Sequence, residues 1–136
     1  MILALLLACA IDGGLPDPSC TPGLASDATL ETVCTQHTGT VRHVTEATKK
    51  KILKAYGVKN PKPGRYEIDH LIPLELGGSN DVTNLWPQPA PAFHQKDKLE
   101  GELHRMVCEH IIPLDQAQKG IAADWLQLYS TWVDGP

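Results

Sequence analysis

Aromatic side chains are scarce, with one Phe, three Trp and three Tyr in 136 residues. Eleven prolines are scattered along the same chain. Together these argue against a large regular sheet or a long helical bundle and for a small, loop-rich α+β core. No CxxC pair occurs, so a structural zinc knuckle has no support. No internal repeat is present, which excludes a solenoid, and the length suits one domain. The net charge of −4 excludes binding to a polyanion through overall charge. The longest apolar run, Met1-Ile-Leu-Ala-Leu-Leu-Leu-Ala-Cys-Ala, is too short to span a bilayer as a helix.

That run reads instead as a signal-peptide or lipoprotein leader remnant over residues 1–10, although no basic residue precedes it. Leu6-Leu7-Ala8-Cys9 is similar to a bacterial lipoprotein box, which would make Cys9 a lipid anchor. Either version implies export, whether secreted, periplasmic or lipid-anchored. Cys20, Cys34 and Cys108 would then lie in an oxidising compartment. The expected bridge is Cys34 with Cys108, leaving Cys20 over. Residues 11–30 are rich in Gly, Pro, Asp, Ser and Thr without a sustained period, and we expect an irregular linker outside the core. The remaining domain is expected over 31–136.

Charge is strongly segregated. Residues 41–66 carry eight cations against the single Glu46, a net of +7. A solvated helix face is the plain explanation, and a local contact surface for a phosphate backbone is the functional one. Thr45 or Thr48 can cap a helix with Ile52, Leu53 and Tyr56 on one side and Gly57 as its stop. After the turn cluster Asn60-Pro61-Lys62-Pro63-Gly64, Tyr66 and Ile68 alternate with Glu67 and Asp69 as in a strand ending near His70. Gly77-Gly78-Ser79-Asn80-Asp81 imposes a loop. Val82 to Trp86 can return as a second strand, stopped by Pro87, Pro89 and Pro91. Leu99, Leu103, Met106 and Val107 recur at helical spacing in a long helix from about Phe93 to Ile111. Pro113 then leads into a final short helix or pair, with Trp86 and Trp125 expected in the core.

Asp69-His70 brings a hard oxygen ligand next to a base at a strand end, where neighbouring side chains point to opposite sides. Asp69 can ligate a divalent metal while His70 faces water. Asn84, on the paired strand, can orient the imidazole and fix its tautomer.

Ile68-Asp69-His70-Leu71-Ile72-Pro73-Leu74-Glu75-Leu76-Gly77-Gly78-Ser79-Asn80-Asp81, followed by Asn84-Leu85-Trp86-Pro87-Gln88, resembles an exported bacterial-type subgroup of the HNH endonuclease superfamily. The likeness extends through Lys96-Asp97-Lys98-Leu99-Glu100 and Ile121-Ala122-Ala123-Asp124-Trp125. The resemblance implies a ββα-metal core over about residues 66–98, with further helices on either side. It also implies Asp69 as a metal ligand, His70 as general base and Asn84 as its orienting partner. The third family position, a metal-binding residue on the helix, falls on His94 by its place after Asn84. The helical wheel favours Asp97 instead if the helix begins before His94. Implied cofactors are Mg²⁺ or Mn²⁺, with Zn²⁺ or Ni²⁺ as alternatives. The implied activity is phosphodiester hydrolysis, on DNA rather than RNA and with low sequence specificity. Lys49, Lys50, Lys54, Arg65 and Lys96 are the candidate phosphate contacts. The competing reading is an HNH scaffold without turnover, acting as a nucleic-acid or surface-binding module.

Overall fold

Thr29 and Thr32 exchange hydrogen bonds in a capping box that starts a short helix, α1 (Leu30–Thr35). Helix α2 (Glu46–Ala55) follows, capped by Thr45, whose hydroxyl accepts from the Thr48 N–H at 3.1 Å. It presses Ile52 and its C-cap residue Tyr56 into the core and leaves its lysines on the outer side. The hairpin comprises β1 (Tyr66–His70) and β2 (Leu85–Pro89), paired antiparallel with His70 opposite Leu85 and Tyr66 opposite Pro89. Helix α3 (Phe93–Cys108) comes next, then α4 (Leu114–Tyr129). In the computed structural model, which describes residues 7–135, the fold is therefore α+β, a two-stranded hairpin among four α-helices.

The second strand lies three residues later than expected, and two prolines belong to it. Bonds from Leu71 N–H to the Asn84 carbonyl and from Ala90 N–H to the Arg65 carbonyl bracket the ladder. The bonded positions of β2 are thus 84, 86, 88 and 90, and Pro87 and Pro89 fall between them, where no N–H is required. Residues 82–84 form a 3₁₀ turn, capped by Asp81, instead of strand. The same parity sorts the side chains. Ile68, His70 and Leu85 lie on one face, and Glu67, Asp69, Trp86 and Gln88 on the other.

Helix α3 buries Leu99, Leu103, Met106 and Val107, and α4 covers it with Ala117, Ile121 and Trp125. The expected end of α3 near Ile111 is corrected to Cys108. His110 takes a positive φ, and Ile111 N–H turns back to the Met106 carbonyl as the helix closes. Helix α4 kinks at Asp124, whose carboxylate accepts from Gln127 N–H and recaps the last turns.

The lead-in over 11–30 is irregular, but it does not lie outside the core. The buried Thr21 hydroxyl bonds to the Tyr56 hydroxyl and donates to the Leu85 carbonyl, and Ile11, Leu15 and Ala25 pack on the core. Residues 1–6 of the expected leader lie outside the described residues. Its end is folded: Cys9 donates from its N–H to the Ala55 carbonyl and bonds through sulfur to Cys20. That sulfur is committed, so the expected lipid thioether at Cys9 is corrected, and Cys20 is not left over. Cys34–Cys108 forms as expected and staples α1 to the end of α3. No helix among the described residues is long and apolar enough to cross a membrane.

Constraint of the unfolded chain grows with the length of the closed loop. The sequence separations are 74 for Cys34–Cys108 and 11 for Cys9–Cys20. Loop-closure entropy gives roughly 4 and 3 kcal/mol respectively. In urea unfolding, Cys34→Ala/Cys108→Ala should lose about 1–2 kcal/mol more than Cys9→Ala/Cys20→Ala. Equal losses would show that something other than loop length sets the contribution.

Candidate active site

At the end of β1, Asp69 points toward α3 and meets a fully buried ammonium. Lys96 Nζ lies 2.8 Å from Asp69 Oδ2 and 2.7 Å from Glu100 Oε1, and it donates to the His70 carbonyl at 2.9 Å. All three ammonium donors have partners. Trp86 Nε1 donates to Asp69 Oδ2 at 3.2 Å from the neighbouring strand. Burial alone would push Lys96 down, but Asp69 and Glu100 outweigh it and hold the lysine above its usual range. One ammonium facing two carboxyls leaves Glu100 incompletely balanced, and burial pushes it up to about 8. Lys96 was expected to contact nucleic acid. That assignment is corrected, because its head group is 0% exposed and fully bonded inside the site.

His70, on the opposite face, is also buried. Its Nε2 lies 2.9 Å from Asn80 Oδ1, and its Nδ1 lies 3.5 Å from the Arg42 guanidinium. The Asn80 amide is oriented by its other bonds: Nδ2 donates to the Val41 carbonyl, and Oδ1 accepts from the His43 N–H. Oδ1 is therefore an acceptor, His70 carries its proton on Nε2, and Nδ1 keeps its lone pair. Burial holds the imidazole below the usual histidine range, with Arg42 and Lys96 adding to the effect and Asn80 and Asp69 opposing it. His70 is thus neutral at neutral pH, as a base must be.

The orienting partner expected from sequence was Asn84, and this too is corrected. Asn84 ends the 3₁₀ turn before β2, 0% exposed, and spends its side chain on the loop. Its Oδ1 accepts from Ile72 N–H at 2.9 Å and from Leu24 N–H at 3.2 Å. Its Nδ2 donates to the Ile72 and Ser79 carbonyls at 2.9 and 2.8 Å. Gly78 belongs to the same knot, since a Cβ there would stand 1.7 Å from the Ile72 carbonyl oxygen. Asn84 thus shapes the loop that carries Asn80, and Asn80 holds the imidazole.

Asp69 and His70 open into a cleft of about 150 Å³ that also includes Arg42, Glu67, Glu75, Asp97 and Glu100. Because α3 begins at Phe93, His94 sits in its first turn, exposed and stacked against Phe93 with ring centroids 4.5 Å apart. Asp97 lines the cleft and His94 does not. Of the two helix candidates, the helix start brings Asp97 to Asp69. Burial and the neighbouring carboxylates push Glu67 and Asp97 above the usual carboxylate range. Five carboxyl side chains line this cleft against the single cation Arg42. No protein-family model, curated protein or solved structure matches this chain.

Among the described residues, no three His, Cys, Asp or Glu side chains are arranged to hold a metal ion. A zinc site, which takes at least three protein ligands, does not fit. The donor chemistry does fit a hard cation that one or two carboxylates hold while water and phosphate complete its shell. Asp69 and Asp97 both line the cleft, with Glu67, Glu75 and Glu100 beside them.

The cleft joins a groove of about 740 Å³ along α2 and the loop after it, with Arg42 and Glu67 lining both. Lys49, Lys50 and Lys54 line this groove, and Arg65 does not. Sequence reasoning assigned no role to Arg42, Asn80 or Glu100. Asn80 stood inside the recognised motif, but only the loop's course reveals that it reaches His70.

The two asparagines separate cleanly by experiment. Asn84→Ala should cost roughly 2–4 kcal/mol in urea unfolding, since it strands several buried polar groups. Asn80→Ala should cost about 1 kcal/mol. In ¹⁵N NMR of the imidazole, the wild type should show the Nε2–H tautomer, and Asn80→Ala should lose that preference. An unchanged tautomer in Asn80→Ala would refute this assignment of the orienting residue.

Proposed function

We propose that the protein is an exported, metal-dependent endonuclease of the HNH type that hydrolyses phosphodiester bonds in DNA with low sequence specificity. The observation that carries this reading is the His70 imidazole, held neutral with Nε2 on Asn80 and an unprotonated Nδ1 facing the Arg42 guanidinium at the junction of an acidic cleft and a basic groove. Export accords with two disulfides, which persist in oxidising compartments.

In this reading the groove lysines hold the phosphate backbone, and such contacts position a strand without reading its bases. His70 Nδ1 accepts a proton from the attacking water, and Asn80 keeps the ring from turning. Arg42, beside Nδ1, offers a donor to a non-bridging phosphate oxygen. Asp69 and Asp97 would hold Mg²⁺ or Mn²⁺, which when bound stabilises charge on the phosphate and the leaving oxygen. The cation also reconciles an acidic cleft with a polyanionic substrate. Lys96 does not touch substrate and holds Asp69 and the end of β1 in place.

A binding module without turnover is the second reading, favoured by the lack of three converging metal donors and by the ammonium already seated on Asp69. Plasmid cleavage separates the two. With Mg²⁺ or Mn²⁺ the wild type should nick and linearise plasmid, EDTA should stop it, and His70→Ala should lose about 10²–10⁴-fold in rate. No cleavage with any divalent metal would sink the enzyme reading, and full activity in His70→Ala would sink the assignment of the base.

A further inference from the structure

The catalytic cleft lies between two larger hollows of unlike character. On one side it shares Arg42 and Glu67 with the groove of about 740 Å³. On the other it shares Thr38 and Leu74 with a hollow of about 650 Å³ between α1 and the Gly77-Gly78 loop. The groove and the hollow have no residue in common, so the three run in the order groove, cleft, hollow. Six cations line the groove, from Arg42 through the lysines of α2 to Lys62, against Glu46 and Glu67. No Lys or Arg lines the hollow. Its only charged side chains are Asp27 and Asp81, and the rest of its polar wall is hydroxyl and amide.

A nucleic-acid strand crossing this surface meets attraction before the scissile phosphate and none after it. Phosphate contacts supply most of the affinity in sequence-independent binding, so a strand gains almost all of it on the groove side. The hollow's lining offers two carboxylates, with Lys51 near Asp81 as a neighbouring cation, and each further nucleotide adds little.

We infer that this protein grips its substrate on one side of the cut only, so that cleavage needs several nucleotides on that side and almost none on the other. The inference rests on the nuclease reading. It makes the protein able to trim close to one kind of end, with the polarity set by how the strand enters the groove. With one phosphate per groove cation, the required side is roughly four to six nucleotides long.

Mapping the limits of cleavage on short DNA substrates tests it. Identical oligonucleotides, single-stranded and duplex, are labelled at the 5′ end in one sample and the 3′ end in another, then cut by the full chain with Mn²⁺. Cuts should reach within about two nucleotides of one end of the cleaved strand and stop roughly four to six short of the other. Lys50→Gln/Lys54→Gln/Lys59→Gln, three exposed changes away from His70, should shorten the required side by about three nucleotides and so shrink the difference between the two limits. It should also lower the salt dependence of duplex binding, followed by fluorescence anisotropy without metal, by about 2.7 in log–log slope. Cuts that approach both ends equally in the wild type, or an asymmetry unchanged in the triple variant, would overturn the inference and leave the nuclease reading standing. Absence of cleavage on every substrate would overturn both.

Discussion

The site is organised around a single buried ammonium. Moving a lysine head group out of water costs several kcal/mol unless its charge and all its donors are matched. At Lys96 they are matched by Asp69, Glu100 and the His70 carbonyl. Since Asp69 and His70 end β1 while Lys96 and Glu100 lie one turn apart on α3, this contact sets the hairpin and helix in fixed relation. It also fixes the helix phase: with Lys96 inward, Asp97 is turned to the cleft and His94 to solvent. The choice between two candidate ligands thus follows from a residue that is not itself a ligand.

Around this centre the two halves of the Asp-His pair are supported by different machinery. Asp69 belongs to the α3 face of the hairpin, where Lys96 and Trp86 hold its carboxylate. His70 belongs to the other face, where Asn80 and Arg42 address its two nitrogens. The loop between the strands carries the support for His70, because Asn84 and Gly78 knot it while Asn80 reaches from it to the imidazole. The lead-in reinforces the knot, with Leu24 donating to Asn84 and Ser26 to the Gly77 carbonyl. A segment that looks like a linker by composition is therefore part of the site's support.

Much of this was legible in the sequence. A cap for α2 at Thr45 or Thr48 and the order strand, strand, helix follow from caps, alternation and spacing, and the favoured Cys34–Cys108 staple and the core placing of Trp86 and Trp125 agree with the structure. What was not legible depends on register and on long-range charge pairing. The second strand was placed early because proline ordinarily stops a strand, and only the ladder's parity shows that Pro87 and Pro89 occupy positions that need no donor. The 3₁₀ turn before β2 commits the Asn84 side chain to Ile72, Leu24 and Ser79, so the asparagine nearest the imidazole in an assumed hairpin is not the one that reaches it. Lys96 read as a surface cation because lysine nearly always is one. Its burial requires Asp69, 27 positions earlier in the chain, and no local pattern announces such a partner.

If the buried ammonium holds hairpin and helix together, removing its charge while keeping its shape should be felt by the whole fold. The direct measurement is the unfolding free energy of metal-free Lys96→Met against the wild type at neutral pH, from urea titration. A loss of about 3–5 kcal/mol is expected, because the change leaves the Asp69 carboxylate without its cation and strands the acceptors on Glu100 and the His70 carbonyl. A variant as stable as the wild type would contradict the account and show that Lys96 fills space in a site assembled by other contacts.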